Sequence, residues 1–201
     1  MGSRSLLALL LLSSTPALAA VAATETTRNL QRAHAHDVAA AATYAAYAER
    51  AANEGHRQVA KLFRAAARSE EVRARAYAAL LRRGGVEPTA EETTPTVNTT
   101  HRNLMRIVAD ENAERASTYP RYAGQARLDG HPEAVLAFTL AHAVESELVK
   151  LYQDALSGLG TSRDPGEAFH VCGTCGHVAR KSAPDRCPVC LSGQAAYASV
   201  S

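Results

Sequence analysis

The sequence predicts an all-α four-helix bundle followed by a small C-terminal metal ribbon. Three observations carry this: an Ala-rich chain poor in aromatics, apolar positions at helical spacing in four segments, and four cysteines confined to residues 172–190. Aromatic residues are 5% of the chain and Trp is absent, whereas a sandwich or barrel draws on β-branched and aromatic strands. Abundant Ala favours closely packed helices instead. The 201 residues allow a core that folds without disulfide staples. With 46% hydrophobic and 21% charged residues, the chain is not wholly disordered. A formal net charge of +2 makes no electrostatic case for a nucleic-acid partner.

The first segment reads as a targeting device. Arg4 precedes the apolar run Leu6 to Leu12, and Ser13, Ser14, Thr15 and Pro16 lead to the small-x-small triplet Ala17-Leu18-Ala19. This is signal-peptide grammar over residues 1–19, with a second cleavage point as late as 22. The run is too short for a stable membrane span, so the mature chain is expected to be exported, periplasmic or secreted, with a net charge of +1 once Arg4 leaves the +2 of the full chain.

Residues 24–160 read as the bundle. Leu30, Ala33, Val38, Ala41, Ala45 and Ala48 mark helix one, from Arg28 to Asn53, stopped at Glu54-Gly55. Val59, Leu62, Phe63, Ala66, Ala74, Tyr77 and Leu81 mark helix two, from His56 to Arg83, stopped at Gly84-Gly85. Val86 to Thr100 holds Pro88, Pro95 and a Thr cluster without periodicity, and reads as a long crossover. Thr100 is the expected N-cap of helix three, which runs to about Asp129 with Pro120 bending it, and Pro132 opens helix four to about Leu156. Two antiparallel pairs joined by one long crossover give the ferritin-like topology. Residues 161–166 are a linker and 167–201 the ribbon.

Cys172-Gly-Thr-Cys175-Gly and Cys187-Pro-Val-Cys190 are two knuckles with metal-ribbon spacing. Each can aim two thiolates at one ion, so four sulfurs complete a tetrahedron for iron or zinc. Two disulfides formed after export are the alternative, disfavoured because a two-residue spacing suits chelation better than an unstrained S–S bond.

The bundle helices also carry acids on their apolar stripes: Asp37 on helix one, Glu70 on helix two, Glu111 and Glu114 on helix three, and Glu145 on helix four. A buried carboxylate is costly unless paired or metal-bound, so acids at similar depth on every helix read as a dinuclear metal cage, against the alternative of solvated face residues. Tyr44 and Tyr119 stand where they can hydrogen-bond such carboxylates.

These residues resemble the rubrerythrins. Asn29-Leu30 through Asp37, then Tyr44, Glu54-Gly55, Gln58-Val59-Ala60 and Phe63 are similar to that family's first hairpin. Asn103-Leu104, Glu111, Glu114 and Tyr119-Pro120 are similar to its third helix, Glu145 falls in its fourth, and the tail is similar to its rubredoxin-like domain. The resemblance implies a ferritin-like bundle with two irons that reduces hydrogen peroxide, Glu114 acting as mobile ligand or proton acceptor. It also implies an iron centre on the four cysteines, where zinc is the other option, that relays electrons from a donor the sequence does not identify, commonly across a head-to-tail homodimer.

Two departures change what the resemblance implies. The family's helix-two Glu-x-x-His reads Glu70-Glu-Val-Arg73 here, and its helix-four counterpart reads Glu145-Ser-Glu-Leu148. Both imidazoles are gone, the first glutamate is the shorter Asp37, and an Arg cannot bind metal. His34 and His142, each three residues before an acid, are weaker candidates to supply nitrogen from the other side. The expectation is therefore either a peroxide-reducing cage or a metal-binding or electron-transfer protein in which only the four-cysteine site is filled.

Overall fold

The computed structural model describes residues 24–160 and 166–200, with only the backbone of Ala113 and Glu114. The expected leader, most of the expected linker and the Glu114 side chain lie outside the described residues. The elements are α1 (Glu25–Asn53), α2 (Arg57–Arg83), α3 (Thr100–Ala113), α4 (Tyr119–Leu128), α5 (Pro132–Ser157), β1 (Phe169–Cys172), β2 (Val178–Arg180) and β3 (Tyr197–Val200). The expected bundle and ribbon are both present. α1 pairs with α2, α3 and α4 together form the third bundle helix against α5, and the three strands make an antiparallel sheet in the order β2-β1-β3. Among the described residues no helix is long and apolar enough to cross a membrane.

Helix ends follow local chemistry. Thr24 caps α1, its hydroxyl accepting from Thr27 N–H at 3.1 Å, so the helix begins three residues before Arg28. The hairpin to α2 closes at Gly55, whose φ of +82° is open to glycine and strained for other residues. His56 N–H then reaches back to Ala51 C=O at 2.8 Å, satisfying a carbonyl that the helix end leaves free.

Three expectations need correction. Thr100 is the first helical residue, and its N–H donates to Glu54 Oε2 at 2.8 Å. The residue before it, Thr99, holds the cap position instead, with its hydroxyl 3.4 Å from Arg102 N–H. Val38 is exposed, because the buried stripe of α1 runs through Leu30, Ala33, Asp37, Ala40, Tyr44, Tyr47, Ala48 and Ala51. Third, the Pro120 bend is a wide π turn at Glu114–Thr118, which interrupts the regular i to i−4 ladder just before the proline. Pro120 lies in the first turn of α4, where its missing N–H costs least.

The core has two parts. One is built from Tyr47, Phe63, Leu104, Val144, Leu148 and Tyr152 and runs on into Phe169 and Val171 of the sheet, so ribbon and bundle share it. The other holds Leu30, Tyr77, Leu81, Tyr119, Tyr122 and Phe138. Besides these, the bundle buries a set of charged side chains described below. Phe63 is fully buried and packs against Tyr47 with the rings tilted by 60° and their centroids 5.6 Å apart. Phe63→Ala is expected to cost about 3–5 kcal/mol of stability, read from a denaturant titration.

Candidate metal centres

The four cysteines converge as the spacing predicts. Cys172 and Cys190 sulfurs are 3.7 Å apart and Cys175 and Cys187 sulfurs 3.6 Å apart. The edge of a tetrahedron with 2.3 Å metal–sulfur bonds is about 3.8 Å. The thiols are free, so the disulfide alternative does not hold, and the donor set fits one tetrahedral iron or zinc. Burial pushes the Cys175 thiol well up. Burial acts the same way on Cys187, but the Tyr197 hydroxyl and the N–H groups of Cys190 and Val189 outweigh it and hold the thiol at about 7. Thiolate is thus prepared at one corner, and a bound cation supplies the charge that favours it at the rest.

The acids meet in the bundle. Asp37, Glu70, Glu111 and Glu145 come from α1, α2, α3 and α5 and are all buried. Oxygens of Glu70, Glu111 and Glu145 lie within 4.8 Å of one another, a span suited to one divalent ion. Glu111 Oε2 and Glu145 Oε2 are buried with no donor from another residue, and the two carboxyl groups face each other. On the other side of Glu111, Tyr44 donates its hydroxyl to Oε1 at 2.5 Å. Burial first, and then the Glu111 charge, keep that phenol protonated.

Asp37 does not join the three glutamates, because Arg73 lies between. The guanidinium is itself buried and forms ion pairs with Glu70 at 2.5 Å, with Glu145, and with Asp37 at 3.3 Å. Those contacts occupy the Asp37 half of the cage with a fixed cation. Four carboxylates against one guanidinium leave a formal charge of −3 in a buried layer, more than it can hold ionised. Burial accordingly pushes Glu70 up to about 8 and Glu145 well above the usual carboxylate range, with Arg73 opposing both. The donor set therefore fits one small cation at Glu70, Glu111 and Glu145. A metal pair does not fit while Arg73 keeps its place, and Leu148, where a second imidazole is expected, is packed into the apolar core.

The remaining candidates are placed as follows. Tyr119 is buried and borders a cavity with Asp37, Thr118 and His36. His34 bonds through Nδ1 to the Ala74 carbonyl at 3.0 Å, and His142 is half-buried; neither joins the three glutamates in a metal-sized group. Both thus stand outside the three-glutamate group, the His34 ring held through Nδ1 by the Ala74 carbonyl. Glu114 has no described side chain.

Ser69 went unnoticed in the sequence. It is fully buried, accepts from Arg73 Nη1 at 2.9 Å, and donates to the Gly176 carbonyl in the first cysteine knuckle at 2.6 Å. Its position one turn before Arg73 was a signal; its contact with the ribbon had none.

A family model described as rubrerythrin matches residues 28–156. Nigerythrin of Nitratidesulfovibrio vulgaris is 31% identical over 83% of this chain and 82% of its own. Rubrerythrin-1 of Clostridium acetobutylicum is also 31% identical, over 87% and 93% respectively. The solved structure of nigerythrin in its fully reduced, all-ferrous state superposes with a TM-score of 0.79 at 25% identity, covering 95% of this chain and all of that one.

The raised carboxyl groups set a pH dependence. Glu70 titrates near 8 when folded and near 4.5 when unfolded, so between those values the folded chain holds more protons and stability falls as pH rises. With the bundle kept metal-free, the denaturant midpoint is expected to decline from about pH 5 to about pH 8, and Glu70→Gln to flatten the decline. Arg73→Ala, which strips the buried acids of their cation, is expected to cost about 3–5 kcal/mol at neutral pH, and less at pH 5, by the same titration.

Proposed function

Since this chain belongs to the rubrerythrin family of non-haem iron proteins, we propose that it is an exported one-electron carrier. Its tetrathiolate iron centre exchanges electrons with a donor and an acceptor, while the bundle keeps the family's acids without the family's metal pair. The observation that carries this reading is the Arg73 guanidinium, ion-paired to Asp37, Glu70 and Glu145 in the half of the cage that a second metal needs. A fixed organic cation supplies charge but neither an open coordination position nor an electron. Two-electron reduction of peroxide needs both. A tetrathiolate iron, by contrast, passes one electron with little change in geometry, and its sulfurs lie at the right separations.

The leader supports export, which would carry the protein to a compartment where its four thiols must bind metal or oxidise. Four thiolates about one ion meet that demand.

A second reading, peroxide reduction, draws on one specific feature. Glu111 and Glu145 keep unpartnered oxygens, and Tyr44 stands bonded to Glu111 as a proton donor beside them. This reading takes one metal ion at Glu70, Glu111 and Glu145, with Arg73 as the neighbouring positive charge.

Metal analysis of the mature protein, paired with a peroxide-consumption assay using the reduced protein, separates the two. One iron per chain and no catalysed peroxide loss are expected. Two irons per chain with turnover would favour the second reading. Arg73→His/Leu148→His, which restores both imidazoles, is expected to raise iron content by up to two per chain and to create peroxide turnover at least tenfold above the wild type.

A further inference from the structure

The ribbon docks on its own bundle through a contact that joins the two centres. Gly176, with φ of +88°, follows Cys175 at the tip of the first knuckle. A Cβ at that position would sit 2.8 Å from Ser69 Oγ and 3.0 Å from the Ser69 carbonyl oxygen, so only glycine lets the knuckle come this close to α2. The Ser69 hydroxyl then donates to the Gly176 carbonyl at 2.6 Å while accepting from Arg73 Nη1 at 2.9 Å.

The peptide unit that Ser69 touches has a second end. The Gly176 carbonyl and the His177 N–H belong to one amide, and that N–H hydrogen-bonds the Cys175 sulfur. An amide polarised at its oxygen is a stronger donor at its nitrogen, and consecutive hydrogen bonds reinforce one another in a dry site. Stronger N–H donation to a metal-bound sulfur favours the more negative, reduced form of a tetrathiolate iron.

We propose that Arg73, Ser69 and the Gly176–His177 peptide form a hydrogen-bond relay through which the Arg73 guanidinium raises the reduction potential of the tetrathiolate iron in the same chain. The inference rests on the electron-carrier reading of the four-cysteine site. It gives Ser69 the part of a positioning residue, which touches neither metal nor substrate, and it gives Arg73 a second task beside neutralising the acids. Ribbon and bundle are then one electrical unit within a single chain, whatever the oligomeric state.

The test uses the full mature chain with its ribbon reconstituted with iron, so that the result does not depend on which metal the exporting cell supplies. Ferric and ferrous fractions are read from the visible thiolate-to-iron absorption at a series of fixed potentials. Ser69→Ala is expected to lower the ferrous-to-ferric ratio at a given potential about three- to tenfold, tenfold corresponding to 59 mV for one electron. Ser69→Thr, which keeps the hydroxyl, is expected to restore the wild-type ratio. Arg73→Gln is expected to shift it the same way as Ser69→Ala, and the double variant no further than the larger single effect. An unchanged ratio in Ser69→Ala, or fully additive effects in the double variant, overturns the relay. Should Arg73→Gln not fold, the proton resonance of the His177 amide in the zinc-substituted protein gives the second measurement. It moves upfield in Ser69→Ala if the relay polarises that N–H, and a resonance that stays in place overturns the proposal. Absence of iron from the protein as isolated would count against the electron-carrier reading alone, since the reconstituted protein still reports on the relay.

Discussion

The ion pairs between Arg73 and the buried acids are the constraint on which the rest of the bundle depends. Asp37, Glu70, Glu111 and Glu145 reach one layer from four helices, and carboxylates brought out of water together repel one another and lose their hydration. In this family the opposing charge comes from metal ions. Here a side chain supplies part of it permanently. The guanidinium meets Glu70 and Glu145 through Nη2 and Asp37 through Nε, a spread that a point charge on a Lys stem could not match. What charge remains is met by protons on Glu70 and Glu145, or by one cation between the three glutamates.

This substitution reorganises both sides of the layer. Toward the ribbon, Leu148 stands where a ligand is expected and becomes part of the core that Tyr152, Phe63 and the sheet share. Away from it, His34 turns to the Ala74 carbonyl on α2. No imidazole joins the three glutamates, although His36 Nδ1 lies 3.3 Å from Asp37 Oδ1, while Tyr44 stays bonded to Glu111. Retained acids alone do not establish retained chemistry, because they serve equally as partners of an internal cation.

The four-cysteine centre carries no such ambiguity. Its ligands lie on two tight knuckles of one small sheet, and sulfur separations near 3.7 Å leave a tetrahedral hole and no S–S bonds. Its surroundings, however, are not those of an isolated ribbon. Phe169 and Val171 pack into the bundle core, and the Gly176 turn rests on Ser69, so the bundle contributes to the environment in which those sulfurs work.

Where ligand or helix identity depends on near neighbours, the sequence determined it. The CxxC knuckles, the Gly stops at 55 and 85, the crossover and the acid on each helix stripe all follow from spacings of a few residues, and the structure keeps them. The missing imidazoles were equally plain at positions 73 and 148. Tertiary structure alone decided where the long side chains went. Arg73 could have reached solvent, but the acids of α1 and α5, distant in sequence, drew it inward. His34, three residues before Asp37, bonds instead to the Ala74 carbonyl of the neighbouring helix. The partnership of Ser69 with Gly176 spans more than one hundred residues and depends on how ribbon and bundle dock, which no local spacing encodes. The π turn before Pro120 likewise arises from fitting a bent helix to its neighbours, so the proline announced a break without revealing its form.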